Sequence, residues 1–259
     1  MHVRGIATQG RSVWAADEAE WGLSQRAARI LLAIPFLIAI VGVAAVPIRP
    51  VYRVLANEDG VAEWGQFVCL ALLIVLYARL GWELWRRDHR WLAILYGAAM
   101  VGMVFIAGEE ISWGQRLFGW VTPAELEAVN NQGESNLHNV GSVLKIFNLV
   151  ILGICLAAMV GPVVRWTAWR ARPRSVAGYA LIPPLAVIPF FGFEFAYRTI
   201  RLLFLPAPRY TLTKYSEFAE LSFYLGLVVF AWLLLRVLRR RAPQTDDSAI
   251  DPLRPSFQG

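Results

Sequence analysis

Residues 91–116 read WLAILYGAAMVGMVFIAGEEISWGQR: eighteen residues without a charge, then Glu109 and Glu110 side by side, with Gln115 and Arg116 shortly after. As a helix, the uncharged part reaches about 27 Å, close to the roughly 30 Å hydrocarbon thickness of a bilayer. Five other stretches share this character, at about 31–48, 64–82, 146–164, 175–193 and 218–235. No alternation of strand type competes with them, and backbone groups in lipid must bond within their own segment. The expected fold is therefore all-α: a polytopic membrane helix bundle of about six transmembrane helices, spanning residues 26–241. Residues 1–25 read as an N-terminal cytoplasmic tail or interfacial segment, and the polar, proline-containing residues 242–259 as a disordered C-terminal tail.

Composition agrees. Hydrophobic residues make up 57% of the 259 positions, eleven are Trp, and the mean hydropathy is +0.48. The first run is too long for a signal peptide and no A-x-A site follows it, so it is expected to be retained. Cys69 and Cys155 both fall inside expected spans, where an apolar packing role is the default. Seventeen of the twenty-five Lys and Arg fall in the N-terminal tail, the second loop, the fourth loop and the C-terminal tail. Basic residues near span ends favour the cytoplasm, which places both termini there. The net charge of +6 is then mostly topogenic and does not indicate nucleic-acid binding.

Outside the tails and the second loop, all eleven acidic residues fall at the other edge: Glu58, Asp59, Glu63, Glu109, Glu110, Glu125, Glu127, Glu134, Glu194, Glu217 and Glu220. Carboxylates near hydrocarbon cost roughly 2.5–3.5 kcal/mol each on insertion scales, so a convergent set marks a candidate functional site. Interfacial anchoring by Trp113, Trp120 and Arg116 is the bland alternative for the Glu109–Arg116 segment. Thr122-Pro123-Ala124-Glu125 forms a capping box expected to start a short amphipathic helix. A helical turn farther on would set Glu134 and His138 at i, i+4, a spacing suited to two metal ligands or to an oriented imidazole. The competing reading there is a solvated loop. Glu217 and Glu220 share a face with Tyr224, while Glu194 follows a run carrying Pro183, Pro184 and Pro189. For Glu63, capping of a helix N-terminus competes with a site role.

Three readings stay open. In the first, a metal-dependent hydrolase or transferase acts on a lipid or lipid-linked substrate at the outer leaflet. Glu109, Glu110, His138 and Glu217 would carry catalysis; Glu134, His138, Glu220, Glu63 and Glu194 would hold a divalent metal, zinc or magnesium; Gln115, Arg116, Arg198 and Arg201 would bind substrate. No contiguous metal motif such as H-E-x-x-H is present. The second reading is an ion- or proton-coupled transporter or channel using Glu220, Glu194 and Glu109 beside a proline-broken span. The third is a membrane scaffold with a structural polar cluster.

At Gly108–Arg116 and Asn131–Asn139 the chain resembles a family of bacterial multi-pass inner-membrane proteins with GEEISWGQ and QGExNLHN type segments. The resemblance covers the membrane core and implies a bacterial inner-membrane location, but no particular activity. The chain departs from the seven-span zinc hydrolases of the alkaline ceramidase and adiponectin-receptor superfamily, which use three histidines with a serine and an aspartate. It has six expected spans and one well-placed histidine.

Overall fold

The computed structural model describes residues 12–57, 59–124, 128, 135, 141–168, 174–204 and 209–240, with the backbone alone at 116, 117, 141 and 142. Among them every regular element is helical, and six helical stretches are long and apolar enough to cross a membrane. The chain opens with α1 (Val13–Trp21), α2 (Gln25–Ala45), α3 (Arg49–Ala56), α4 (Val61–Arg86) and α5 (Arg90–Glu110). A 3₁₀ turn at Ser112–Gly114 leads into the short α6 (Gln115–Phe118). Next come α7 (Gly141–Thr167), α8 (Val176–Leu181), α9 (Ile188–Leu203), α10 (Tyr210–Lys214) and α11 (Ser216–Arg240). The fifth span runs on to Leu203, so Glu194 lies inside it rather than at its end.

Position in the bundle follows from burial. In their most apolar windows α11 and the α8–α9 span bury 56% and 50% of residues, whereas α2 and α7 bury 17% each. The former pair is therefore central and the latter pair peripheral. α4 packs on α5 and α11, and α9 packs on α7, α11 and α2. Leu70, Leu73, Leu80 and Leu84 of α4 are fully buried in one cluster with Phe190, Phe191, Phe223 and Leu234. With apolar lipid outside, close packing rather than water exclusion holds such helices together. The α9–α11 approach depends on Gly226, where a Cβ would lie 2.6 Å from the Cβ of Phe190.

Exposed tryptophans form two bands. Trp82, Trp85 and Trp91 mark one end of the α4–α5 pair, and Trp64, Trp113 and Trp120 mark the other. From Trp64 to Trp85 along α4 the rise is about 32 Å, which matches a bilayer core bounded by aromatic belts.

Pro183 and Pro184 interrupt the fifth span between α8 and α9. Lipid cannot satisfy the backbone groups freed by such a break. Here side chains from other elements do. Asp17 of α1 accepts the Leu185 N–H at 2.8 Å and the Trp166 indole N–H at 3.0 Å. Arg174 donates to the Gly178 carbonyl at 3.1 Å and to the Ile182 carbonyl. Its guanidinium lies 4.8 Å from the Trp21 ring and 4.6 Å from the Tyr179 ring. Glu20 pairs with Arg165 at 3.3 Å and with Arg174 at 3.5 Å. Acid thus meets the N-terminal end of one half-helix, and base meets the C-terminal end of the other, as the helix dipole favours. Burial pushes the Asp17 carboxyl up to about 6, against the pull of the Trp166 and Leu185 hydrogen bonds and of the Arg174 guanidinium.

Cys69 and Cys155 are free and buried. The final helix ends beside α1, where Arg240 approaches Gly22.

Candidate functional site

The antiparallel pairing of α4 and α5 sets the start of one helix beside the end of the other. This brings Glu63 and Gln66 to the same end as Glu109 and Glu110. The first turns of α11 and the middle of α9 complete that end with Glu217, Glu220, Glu194 and Arg198. Glu220, Glu217, Glu63 and Glu109 all lie within electrostatic reach of Glu110.

Arg198 is the hub. It donates through Nε to Glu194 one helical turn earlier, through Nη2 to Glu220 Oε1 at 2.9 Å, and through Nη1 to Asn148 Oδ1 of α7. Glu194 is wholly buried. These bonds use three of the five guanidinium donors, leaving two for a ligand. Arg198 is therefore less a free anion grip, as its residue type suggested, than a clamp joining three helices. It also supplies the positive charge between Glu194 and Glu220, where a metal was expected. Among the described residues no three His, Cys, Asp or Glu side chains are placed to hold a metal ion. Glu134 and His138 lie outside the described residues, as does the side chain of Arg116.

Other expected site residues take structural partners. Glu63 accepts the Asp59 N–H at 2.6 Å, a helix-start contact of the capping kind. Glu109, 2% exposed, accepts the Trp113 indole N–H at 2.6 Å. That contact requires the chain to reverse sharply: Ser112, Trp113 and Gly114 all take left-handed backbone angles, with φ of 47°, 53° and 81°. Two successive non-glycine residues there store strain, which packing of the Trp113 ring over Gly108 and Phe105 offsets. The helix therefore stops at Glu110. Gln115, expected to touch substrate, instead ties its loop together: Nε2 donates to Thr122 at 2.8 Å and Oε1 accepts the Ser135 N–H at 2.7 Å. The Ala128 N–H donates to the Ala124 carbonyl at 3.1 Å.

Glu217 meets Gln66, whose Nε2 donates to its carboxylate at 2.9 Å and to its carbonyl at 3.0 Å. Tyr224, one turn beyond Glu220, is 1% exposed and has Glu110, Glu220, Arg198 and Glu194 as its charged neighbours.

Beside this network lies a cavity of about 580 Å³ between α7, α9 and the start of α11. Lys145, Asn148, Arg198, Arg201 and Glu220 form its polar side, and Leu144, Leu149, Leu152 and Leu202 its apolar side. Leu149 and Leu202 are each more than 60% exposed, so the apolar side opens laterally from the bundle. Asn148 escaped the sequence reading, although an amide in the run Phe147–Ala157, one turn from Lys145, was its signal. Tyr197, whose hydroxyl donates to the Leu212 carbonyl at 2.6 Å, also lines the cavity and gave no such sign.

No family model, no curated protein and no solved structure matches this chain.

Proposed function

We propose that this multi-pass membrane protein binds an anionic amphiphile, a lipid or lipid-linked molecule, in the cavity between α7, α9 and α11, and acts on it as a hydrolase or transferase. The observation that carries the reading is the cavity's two-sided lining, cationic at its polar end and leucine-rich where it opens sideways. An anionic head would sit against Lys145, Arg201 and the two remaining donors of Arg198, with its chain along Leu149 and Leu202. Glu220 reaches the same cavity and serves as general base. It takes the proton of an attacking water or hydroxyl as that oxygen bonds to the acyl or phosphoryl centre, and returns it to the leaving oxygen as the old bond breaks. The bias of basic residues supports an outward orientation for this end, which in a bacterial cell membrane is the periplasmic face.

Glu134 and His138, whose i, i+4 sequence spacing suits two ligands, would hold a zinc or magnesium ion, which would supply an activated water. A transport reading has less support, because the broken part of the fifth span lies about 15 Å along the chain from Glu194 and its freed groups are already satisfied.

The test is turnover. Full-length protein is placed in nanodiscs of a total polar lipid extract, and lipid composition is followed by mass spectrometry. One anionic class is expected to be converted with time, and at least about a hundredfold more slowly by Glu220→Gln. Loss of turnover on chelation, restored by zinc or magnesium, would add the metal. An unchanged lipid composition with wild-type protein would overturn the enzymatic reading.

A further inference from the structure

The first two crossing helices are not joined by a simple loop. Between the end of α2 at Ala45 and the start of α4 at Val61 the chain forms α3, Arg49–Ala56. At about 12 Å this helix is too short to cross a bilayer. It packs on α2 and α4, at the end of the bundle where exposed Trp64 marks an aromatic band. Its buried residues are Tyr52 and Ala56, one turn apart, and the Tyr52 hydroxyl donates to the Thr211 carbonyl at 2.6 Å. Asn57, next in the chain, accepts from the Tyr210 hydroxyl. The bundle therefore grips α3 along a single stripe.

Two other stripes face outward. Arg49 and Arg53 are one turn apart and exposed, and among the described residues neither guanidinium has a hydrogen bond or an ion pair. Val51 and Val54, 43% and 64% exposed, lie about 150° round the helix from that basic pair. A short helix that is basic on one side and apolar on the other, at the level of an aromatic belt, has the character of one lying in the membrane interface. Valines suit the acyl side of that layer, while the long arginine stems let their charged ends reach the headgroups. There a guanidinium meets phosphate, whose oxygens it matches through paired, charge-assisted N–H donors.

We infer that α3 lies in the headgroup layer and that Arg49 and Arg53 bind the phosphates of anionic phospholipid, with Val51 and Val54 resting on the acyl chains. The inference does not depend on the cavity, whose Lys145 and Arg201 belong to α7 and α9.

The test uses full-length protein carrying Val54→Cys with a bimane label. Cys69 and Cys155 are buried, and protein treated with the label but lacking the Val54 change gives the background. Each protein is reconstituted in phosphatidylcholine vesicles containing increasing fractions of chain-brominated phosphatidylglycerol or of chain-brominated phosphatidylcholine. Both brominated lipids should quench the label, and phosphatidylglycerol should do so with at least about fivefold higher apparent affinity, the effect of one basic residue at an anionic surface. Arg49→Gln combined with Arg53→Gln should remove that preference and leave quenching by phosphatidylcholine in place. Arg49→Lys combined with Arg53→Lys, which keeps both charges, should retain part of it. Absence of quenching by either lipid would overturn the inference, because Val54 would then lie outside the bilayer. Equal quenching by the two lipids, or a preference unchanged in the glutamine pair, would overturn it as well. Loss of the preference in the lysine pair as complete as in the glutamine pair would also count against it, since charge would then not be what the site reads.

Discussion

Arg198 shows most plainly what a single side chain does here. Replacing it with Leu leaves Glu194 wholly buried and Glu220 mostly so, each without its cation. The expected cost is about 3–5 kcal/mol in denaturant unfolding in mild detergent. Adding Glu194→Gln and Glu220→Gln to that change should restore most of the loss, since the penalty comes from unpaired charge. Arg198→Lys should fail to rescue, because a single ammonium cannot serve Glu194, Glu220 and Asn148 in their three directions. The residue scale is also where sequence reading is most uneven. The face shared by Glu217, Glu220 and Tyr224 is legible because helical spacing is local. The partner of Glu220 is not, because Arg198 reaches it from another helix. Gln115 read as a substrate contact because a polar group beside Glu109–Glu110 looks functional; the turn that directs it to Thr122 and Ser135 has no such local sign.

At the scale of elements, run length and charge were enough to find the six long helices but not the end of the fifth, which runs ten residues past the expected 193, and Pro183–Pro184 marked its interruption. Half of its remedy was hidden, because the acceptor for the Leu185 N–H comes from α1, 168 residues away in the chain. That contact has a pH dependence. The carboxyl of Asp17 is raised from 3.8 to about 6 in the folded protein, so the folded state holds its proton more tightly than the unfolded chain. Its contribution is fully present below the unfolded value and is lost as pH rises through about 6, by at most about 3 kcal/mol for a shift of this size. Hydrogen exchange across residues 13–21 should accordingly show weaker protection of α1, relative to the rest of the bundle, at about pH 8 than at about pH 5. Asp17→Asn should remove the difference, with α1 protection lowered at both pH values because its single amide oxygen can accept from Leu185 or from Trp166 but not from both. Equal protection of wild-type α1 at both values would mean that the Trp166 and Leu185 bonds and Arg174 already hold the carboxylate ionised.

Viewed whole, the molecule has two polar ends with different tasks. At one, α1, Arg165 and Arg174 close over a broken helix with acid and base in balance. At the other, Glu194 and Glu220 are clamped by Arg198 and a cavity opens between α7 and α9. The tryptophan bands lie at these same ends, about one bilayer core apart. The division was foreshadowed by the segregation of acidic and basic residues along the chain, but the cavity was not, since it depends on how α7 leans against α9. The most direct test of its assignment is equilibrium binding of dodecyl phosphate and of an uncharged dodecyl amphiphile, each below its micellar concentration, to the full-length protein. Dodecyl phosphate should bind at least about tenfold more tightly, and Lys145→Gln combined with Arg201→Gln should abolish that preference, since each charge-assisted contact is worth about 1.5–3 kcal/mol. Equal affinity for the charged and uncharged chains, or a preference unaltered by the double substitution, would contradict the account.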